Sequence, residues 1–513
     1  MSTRFAYQAL SEDAVSRLAE LVALKLQVGD VIALHGDLGA GKTTFARAFI
    51  RAVLADPDAE VPSPTFPIVQ PYETPRIKLW HFDLYRLSGP DDLEEVGFHD
   101  ALANGVTLVE WPDRAEDALP GNRLDISLQP GANSDLRDIV IEAHGPQAAG
   151  LERLDCIHSF LAAASLPGSI DAISYLQGDA SARAYARIRS GATTFVLMDS
   201  PPVPDGPPIH DGLPYSRIAH LAEDVRPFIA IGHALENAGL AVPHIHEADL
   251  DNGLLLLEDL GDLSFGRALA NGSPQDELWS AAVDVLLALR SSPAPHLLHL
   301  PDATTYELSR FDRAALEIEL CLILDWYWPE IHGKDAPGDV RQSFLALWSP
   351  VLDRLMQEPP GLFLRDFHSP NLFWLPGRTG IGRVGVIDFQ DALAEPWALD
   401  LVSLLQDARV DVPRDLEHRE LARYLDTVES REPDFDRDRF QAVYSAFGAQ
   451  RNTRLVGLWI RLLRRDAKPG YLQHMSRTWD YLARNLDHPD LARLKAWYDH
   501  HFPQAVRDRK IVP

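Results

Sequence analysis

Asp366 is followed five residues later by Asn371, and Asp388 comes 22 positions after Asp366, closing the apolar run Val384-Gly385-Val386-Ile387 and preceding Phe389. Phosphoryl transfer to an alcohol needs this set. One aspartate orients and deprotonates the attacking hydroxyl, and an asparagine with a second aspartate holds the Mg²⁺ ions that neutralise the migrating group. A D-x-x-x-x-N spacing alone occurs everywhere. The apolar strand ending in Asp-Phe at this distance is what gives it chemical meaning. Asp366 is therefore expected to be the base, and Asn371 and Asp388 the metal ligands.

A second phosphate chemistry is written near the other end of the chain. Gly36-Asp37-Leu38-Gly39-Ala40-Gly41-Lys42-Thr43 matches G-x-x-x-x-G-K-[ST]. Gly36, Gly39 and Gly41 let backbone N–H groups wrap phosphate oxygens, Lys42 reaches the β- and γ-phosphates, and Thr43 ligates Mg²⁺. The metal needs a second acidic group. Glu110, which closes the apolar run Thr107-Leu108-Val109, is one candidate, and Asp83 in His81-Phe82-Asp83 is the other.

These residues need supports. Val31–His35 reads as a buried parallel strand, and residues 44–55 as a helix with Phe45, Ala48, Phe49 and Ala52 on one face. Around Asp366, Leu254–Leu257 reads as a buried strand running into Glu258-Asp259-Leu260-Gly261, the pattern of a hinge between two kinase lobes. Backbone groups at Glu258 and Leu260 are expected to hold the adenine. The place of the glycine-rich loop is taken by Leu176-Gln177-Gly178-Asp179-Ala180-Ser181-Ala182-Arg183, with one glycine. The strand Thr194–Asp199 carries Met198 where a kinase carries its lysine, and no lysine occurs between Lys78 and Lys334. Arg183 or Arg187 is expected to supply the missing charge; otherwise the domain is a pseudokinase. Asp400 reads as a core acid or a helix cap. Arg461–Asp466 reads as a solvated helix face or a carboxylate site, and Trp326-Tyr327-Trp328 as core or the wall of a sugar cleft.

At 513 residues the chain is long enough for several cores. Its apolar content of 46% and charged content of 24% are those of a globular protein. Two cysteines exclude a disulfide framework or a cysteine metal site. A net charge of -27, from 75 acidic and 48 basic residues, argues against broad nucleic-acid binding. The N-terminus lacks a signal-peptide apolar core, and a cytoplasmic location is expected. The small-residue stretch His144–Gly150 reads as a linker and residues 151–164 as a new helix. The predicted architecture is an α/β P-loop NTPase domain (1–148) followed by an α+β two-lobed protein-kinase-like phosphotransferase domain (149–513). Within the latter the N-lobe spans about 170–257, the hinge 258–262 and the C-lobe 263–513.

Gly36–Thr43, Ser63-Pro64-Thr65-Phe66, His81–Leu87, Leu93–Gly97 and Val109-Glu110-Trp111-Pro112 together resemble the TsaE family over about residues 5–145. TsaE is the small ATPase subunit of the bacterial complex that makes threonylcarbamoyl-adenosine in tRNA. The resemblance implies a Mg-ATP site with Thr43 and Glu110 at the metal, Ser63–Thr65 and Asp83 in switch-like segments, and partner subunits of that complex. Pro67 departs from the family pattern. Gly178–Arg187, Leu197-Met198-Asp199-x-Pro201-Pro202, Leu256–Gly261, Asp325-Trp326-Tyr327, Arg365–Asn371 and Gln450-Arg451-Asn452 resemble the AmgK family over about residues 155–505. Those aminoglycoside-phosphotransferase relatives pass the γ-phosphoryl of ATP to the anomeric hydroxyl of N-acetylmuramate or N-acetylglucosamine in cell-wall recycling. The implied cofactors are ATP and Mg²⁺. A kinase of aminoglycosides or small alcohols, and a nucleotide-regulated scaffold, are the alternatives. Which amino sugar is preferred, coupling between the domains and oligomeric state are open at this point.

Overall fold

The computed structural model describes residues 2–512 apart from 75–76, 88–91, 116–117, 177–182, 203–205, 207, 211, 219, 292–296, 301–302 and 311–312. The chain forms two compact units, Met1–Pro202 with Ile245–Asp259, and Val203–His244 with Leu260–Pro513.

The first unit opens with β1 (Ser2–Leu10), α1 (Glu12–Leu24), β2 (Val31–His35) and α2 (Lys42–Leu54). It continues through β3 (Val69–Glu73), β4 (Lys78–Asp83), α3 (Asp92–Glu95), α4 (Phe98–Asn104), β5 (Val106–Glu110), β6 (Leu124–Pro130) and β7 (Arg137–His144). Seven strands make one sheet in the order β1-β7-β6-β2-β5-β4-β3. The central strands β2, β5, β6 and β4 run parallel in their pairings, and the outer pairs are antiparallel. β2 and β5 are apolar and buried on both faces, as parallel strands under helices must be. The register sets Leu34 and Asp83 opposite Glu110, so the loop after β2 and both candidate acids meet at one edge of the sheet.

The expected linker is instead two residues long. β7 ends at His144 and α5 runs from Gln147 to Ala163, so the helix begins four residues before Leu151. Pro146 starts it without a polar cap, and Gly150 lies inside it, which is why the sequence reads as loop there. The boundary expected near residue 148 falls in its first turn. Leu151, Leu154, Ile157 and Leu161 of α5 are buried in one cluster with Ile139 and Ile141 on one side. Ile173, Ile188, Phe195 and Leu197 lie in the same cluster. They belong to the next sheet, built on β8 (Ile170–Leu176), β9 (Ala184–Ser190) and β10 (Thr193–Asp199). A single core thus runs from the first sheet into the second.

The chain then contributes β11 (Pro208–His210), β12 (Leu213–Pro214), α6 (Tyr215–Ile218) and α7 (Arg226–Asn237) to the second unit. It returns with β13 (Ile245–Asp249) and β14 (Leu254–Glu258) to complete a five-stranded antiparallel sheet, β13-β14-β10-β9-β8.

The second unit is mostly helical. Its elements are α8 (Phe265–Ala270), α9 (Gln275–Arg290), β15 (Leu297–His299), β16 (Thr305–Glu307), α10 (Arg313–Leu322), α11 (Trp328–His332) and α12 (Gly338–Leu355). Four short strands follow: β17 (Gly361–Phe363), β18 (Leu372–Trp374), β19 (Val384–Val386) and β20 (Leu393–Glu395). Helices α13 (Ala398–Leu405), α14 (Arg414–Arg431), α15 (Arg437–Arg464), α16 (Met475–Leu486), α17 (Ala492–His501) and α18 (Gln504–Arg507) complete it. α15 is the spine, buried along most of its length and packed on α10, α13 and α16. No helix among the described residues is long and apolar enough to cross a membrane.

Candidate functional site

The P-loop follows β2 and leads into the N-terminus of α2, where partial positive charge favours phosphate. Gly36, Gly39 and Gly41 have φ of 142°, 81° and 106°. A Cβ at Gly36 would lie 2.6 Å from the Leu128 carbonyl oxygen, so nothing larger fits. Lys42 is buried and donates to the carbonyls of Gly36 (2.6 Å) and Asp37 (3.0 Å). Its ammonium lies 3.7 Å from the centre of the Trp111 ring. Burial pulls its pKa below the usual value, opposed by the charges of Glu110, Asp83 and Asp37.

Thr43 Oγ1 donates to Glu110 Oε2 at 3.1 Å, and Glu110 Oε1 lies 3.0 Å from His81 Nε2. The hydroxyl and the carboxylate are hard oxygen donors of the kind Mg²⁺ takes. Asp83 is also buried. Its Oδ2 accepts from Thr65 Oγ1 at 2.8 Å, and Ser63 Oγ lies 2.7 Å from Thr65 Oγ1. Ser63–Thr65 is therefore tied to the sheet edge that carries Glu110. Arg137, the first residue of β7, braces the loop: its Nε donates to Ala40 O at 2.9 Å and its Nη1 to Ser134 O and Leu136 O.

In the second unit Asp366, Asn371 and Asp388 come together. Asn371 Nδ2 donates to Asp366 O (3.0 Å) and to Asp388 Oδ2 (3.3 Å), which leaves its amide oxygen as an acceptor. Ile387 N donates to Asn371 O at 3.0 Å and Gln390 Nε2 to Asp388 Oδ1 at 2.7 Å. An amide oxygen beside a carboxylate is again a Mg²⁺ donor set; among the described residues no cluster of three or more His, Cys, Asp or Glu forms a metal cage. Arg365 and Asp388 adopt φ of 73° and 61°, conformations that cost about 1–3 kcal/mol each in a side-chain-bearing residue.

Asp400 meets that cost at Arg365. Buried in the first turn of α13, it accepts Leu364 N at 2.7 Å and Arg365 N at 3.1 Å, so it clamps the loop rather than capping its own helix. Burial pushes its carboxyl up to about 8 against both N–H donors. Desolvation also raises Asp366. There the His368 hydrogen bond and the charges of His368, Arg454 and Arg365 win, and hold the carboxyl well below the usual range.

Several supporting residues surround the trio. His368 Nε2 lies 3.5 Å from Asp366 Oδ1 and 2.8 Å from Arg409 Nη1. Asp407 accepts Ser369 N (2.7 Å) and Arg409 N (2.8 Å). Glu319 takes Gln450 Nε2 at 3.1 Å, Arg365 Nη2 at 3.4 Å and Arg454 Nε at 3.5 Å. These partners come from α10, the loop after α13, and α15. Arg365 and His368 fall in the Arg365–Asn371 stretch and Gln450 in the Gln450-Arg451-Asn452 triplet, but nothing in the sequence points to Glu319, Asp407, Arg409 or Arg454.

The remaining expectations fall as follows. Residues 177–182, the single-glycine loop, lie outside the described residues, and Arg183 sits just before β9. Met198 is buried, 1% exposed, on the face of β10 opposite Phe195 and Leu197. Arg187 in β9 faces the same way and pairs with Asp259, Nε to Oδ2 at 2.6 Å. Glu258 ends β14, and Leu260 opens the second unit. A lysine does reach β10: Lys25, at the end of α1, pairs with Asp199 together with Arg153 (2.9 Å from Nε). Asp199 alternates with Met198, so Lys25 serves the core face and not the face where a kinase lysine would stand. Arg464 forks onto Glu330 and Arg465 onto Asp466 on a solvated surface, and Tyr327 and Trp328 are core.

Two family models match the chain, Threonylcarbamoyl adenosine biosynthesis protein TsaE over residues 9–139 and the Phosphotransferase enzyme family over residues 172–443. The chain is 37% identical over 341 residues to an N-acetylmuramate/N-acetylglucosamine kinase of Caulobacter vibrioides, covering 65% of this chain and 92% of that protein. It is 36% identical over 119 residues to a tRNA threonylcarbamoyladenosine biosynthesis protein TsaE of Rickettsia felis, covering 23% of this chain and 69% of that protein. Among solved structures, YdiB of Bacillus subtilis is 31% identical with a TM-score of 0.26, covering 31% of this chain and 98% of its own. The ADP-bound aminoglycoside phosphotransferase APH(2'')-Ib is 12% identical with a TM-score of 0.39, covering 67% and 98%.

Proposed function

Because the chain belongs to the TsaE family over its N-terminal region and to the phosphotransferase enzyme family over most of the remainder, we propose that it joins two ATP-using activities. The phosphotransferase region passes the γ-phosphoryl of ATP to the anomeric hydroxyl of N-acetylmuramate or N-acetylglucosamine. The P-loop domain hydrolyses ATP while working with the other subunits of a tRNA threonylcarbamoyl-transfer assembly. The observation that carries the kinase reading is the trio Asp366, Asn371 and Asp388, drawn together by direct hydrogen bonds. Relatives that share the sequence over nearly their whole length bear the kinase name.

In this reading Asp366 is the base. Its low pKa makes it a weak acceptor, so its main work is to orient the hydroxyl and take the proton late, as a loose transition state requires. Asn371 and Asp388 would hold Mg²⁺, which neutralises phosphoryl charge when bound. Glu258 and Leu260 keep the hinge role, and Arg183 the phosphate role. In the first domain Gly36, Gly39, Gly41 and Lys42 cradle phosphate, and Thr43 and Glu110 take the metal.

A coupled assay of ATP consumption by the purified full chain against a panel of amino sugars, aminoglycosides and small alcohols tests this. Turnover confined to N-acetylmuramate and N-acetylglucosamine is expected. Preference for an aminoglycoside contradicts the acceptor assignment. No turnover with any acceptor supports a second reading, a nucleotide-regulated scaffold, which the burial of Met198 in place of a lysine favours.

A further inference from the structure

Within the first unit, α1, α2 and the strands β8, β9 and β10 surround a cavity of about 470 Å³, the size of a small-molecule site. Five arginines line it: Arg17 of α1, Arg47 and Arg51 of α2, and Arg187 and Arg189 of β9. They gather in a chain whose net charge is -27. Arg47 and Arg51 are one helical turn apart and share their face of α2 with Ala48 and Ala52. Arg187 and Arg189 alternate onto one face of β9. On that face Ser174 lies opposite Arg187, and Ala172 and Thr194 lie opposite Arg189. These neighbours are small, so they leave the space beside the guanidiniums open.

The acids of the lining are partly engaged. Asp171 Oδ2 accepts Gly191 N at 2.7 Å, and Asp56 Oδ1 accepts Asp58 N at 3.0 Å. Glu20 accepts Ile173 N and Arg17 Nη2. Burial, opposed by Arg17, the Ile173 N–H and Arg189, raises the Glu20 carboxyl to about 7, which tilts the cavity further towards positive charge near neutral pH. The guanidiniums are less fully used. Arg187 pairs with Asp259, but the Nε of Arg17 is buried without a hydrogen-bond partner among the described residues. Arg51 donates its Nε to Ala59 O at 3.0 Å. Arg47 and Arg189 are exposed and make no hydrogen bond or ion pair among the described residues; Arg189 acts on Glu20 through space.

Guanidiniums arriving from a helix and from a strand match the several oxygens of a phosphate better than a single carboxylate does. Between them stand Glu12, Asp56 and Asp171, which as carboxylates can only accept and so suit hydroxyl groups. No aromatic side chain lines the cavity among the described residues, so a nucleobase would find no ring to stack on. The lining therefore fits a phosphate ester rich in hydroxyls and lacking a base.

We propose that this cavity is a binding site for a phosphorylated sugar, its phosphate taken by Arg47, Arg51 and Arg189 and its hydroxyls by Glu12, Asp56 and Asp171. The occupant joins α2, the helix that leaves the P-loop, to β9.

The test is calorimetric titration of the full chain, held in saturating Mg-ADP so that nucleotide sites are filled, with N-acetylglucosamine 6-phosphate, N-acetylglucosamine and inorganic phosphate. A 6-phosphate is not the product of anomeric transfer, so its binding is separate from the kinase reading. The wild type should bind the sugar phosphate at least about tenfold more tightly than either the free sugar or inorganic phosphate. The double variant Arg47→Gln, Arg189→Gln should lose at least about tenfold in that affinity while melting as the wild type does. In the wild type, the sugar phosphate should also protect Arg47 and Arg189 from phenylglyoxal, read residue by residue by mass spectrometry; this readout stands even if the variant does not fold. A wild type that does not bind, or whose two arginines stay reactive when the ligand is bound, overturns the proposal. So does a folded variant that binds as tightly as the wild type. Equal affinity for inorganic phosphate, or protection of the same arginines by Mg-ADP alone, overturns the sugar-phosphate assignment.

Discussion

Asp366 is held well below its ordinary pKa by His368, Arg454 and Arg365 acting against desolvation. A carboxylate so stabilised contributes by direction as much as by basicity. Asp366→Asn should lower kcat about a hundredfold or more while Mg-ATP affinity, measured by nucleotide fluorescence, stays near wild type. Wild-type turnover in that variant would remove the role assigned to it. The trio was legible because Asp366, Asn371 and Asp388 sit on neighbouring stretches whose spacing is set by one loop and one strand. His368 lies between two of them, yet its partner Arg409 is 41 residues on, and Glu319 meets Gln450 across 131 residues. Such pairs exist only once α10, α13 and α15 pack, and no local pattern announces them. Arg137 behaves the same way at the P-loop, reaching Ala40 across 97 residues. Arg137→Ala should weaken nucleotide binding by the first domain several-fold without unfolding it, as measured by fluorescent-ATP titration and melting.

The elements most readable from sequence were those with an unbroken apolar signal. β2, β5 and β14 lie where their apolar runs stand, and α2 buries Phe45, Phe49 and Ala52 as its spacing demands. α5 was half hidden by Pro146, Gly150 and a run of alanines, whose propensities oppose one another. The contact between α1 and β8 was not readable, because it joins apolar residues far apart in sequence and one buried acid. Glu20 accepts Ile173 N at 2.8 Å and Arg17 Nη2 at 2.7 Å, and burial raises its carboxyl to about 7 from 4.5. A carboxyl raised on folding gives its full stability below the unfolded value of 4.5 and loses it as pH climbs through about 7. Melting of the first unit should therefore fall between about pH 5 and about pH 8, and Glu20→Gln should flatten that fall by about 2 °C or more. An identical pH profile in the variant would show that Glu20 is not the group responsible.

At the scale of the whole chain, Lys42 and Asp366 lie in different units, yet the first unit already contains both the P-loop sheet and the five-stranded sheet. The shared core of Ile139, Leu154, Ile157, Ile188 and Leu197 ties them together. A fragment beginning at residue 149 would strip one side of that core, and should be less soluble and melt lower than the full chain; equal melting would show that the shared core is dispensable. The proposed function gives Lys42 and Asp366 separate chemistry, so Lys42→Ala should abolish ATP turnover by the P-loop while sparing sugar phosphorylation. The two-domain order was legible from two motifs, whereas the continuity of the core was not, since it depends on which faces of α5 and β10 are covered. Phosphorylation at the anomeric oxygen can be read from ³¹P and ¹H NMR of the product that the full chain makes from ATP and N-acetylglucosamine. A phosphate coupled to the anomeric proton and released by mild acid is expected. A phosphate coupled to the C6 protons and stable to the same acid would contradict it.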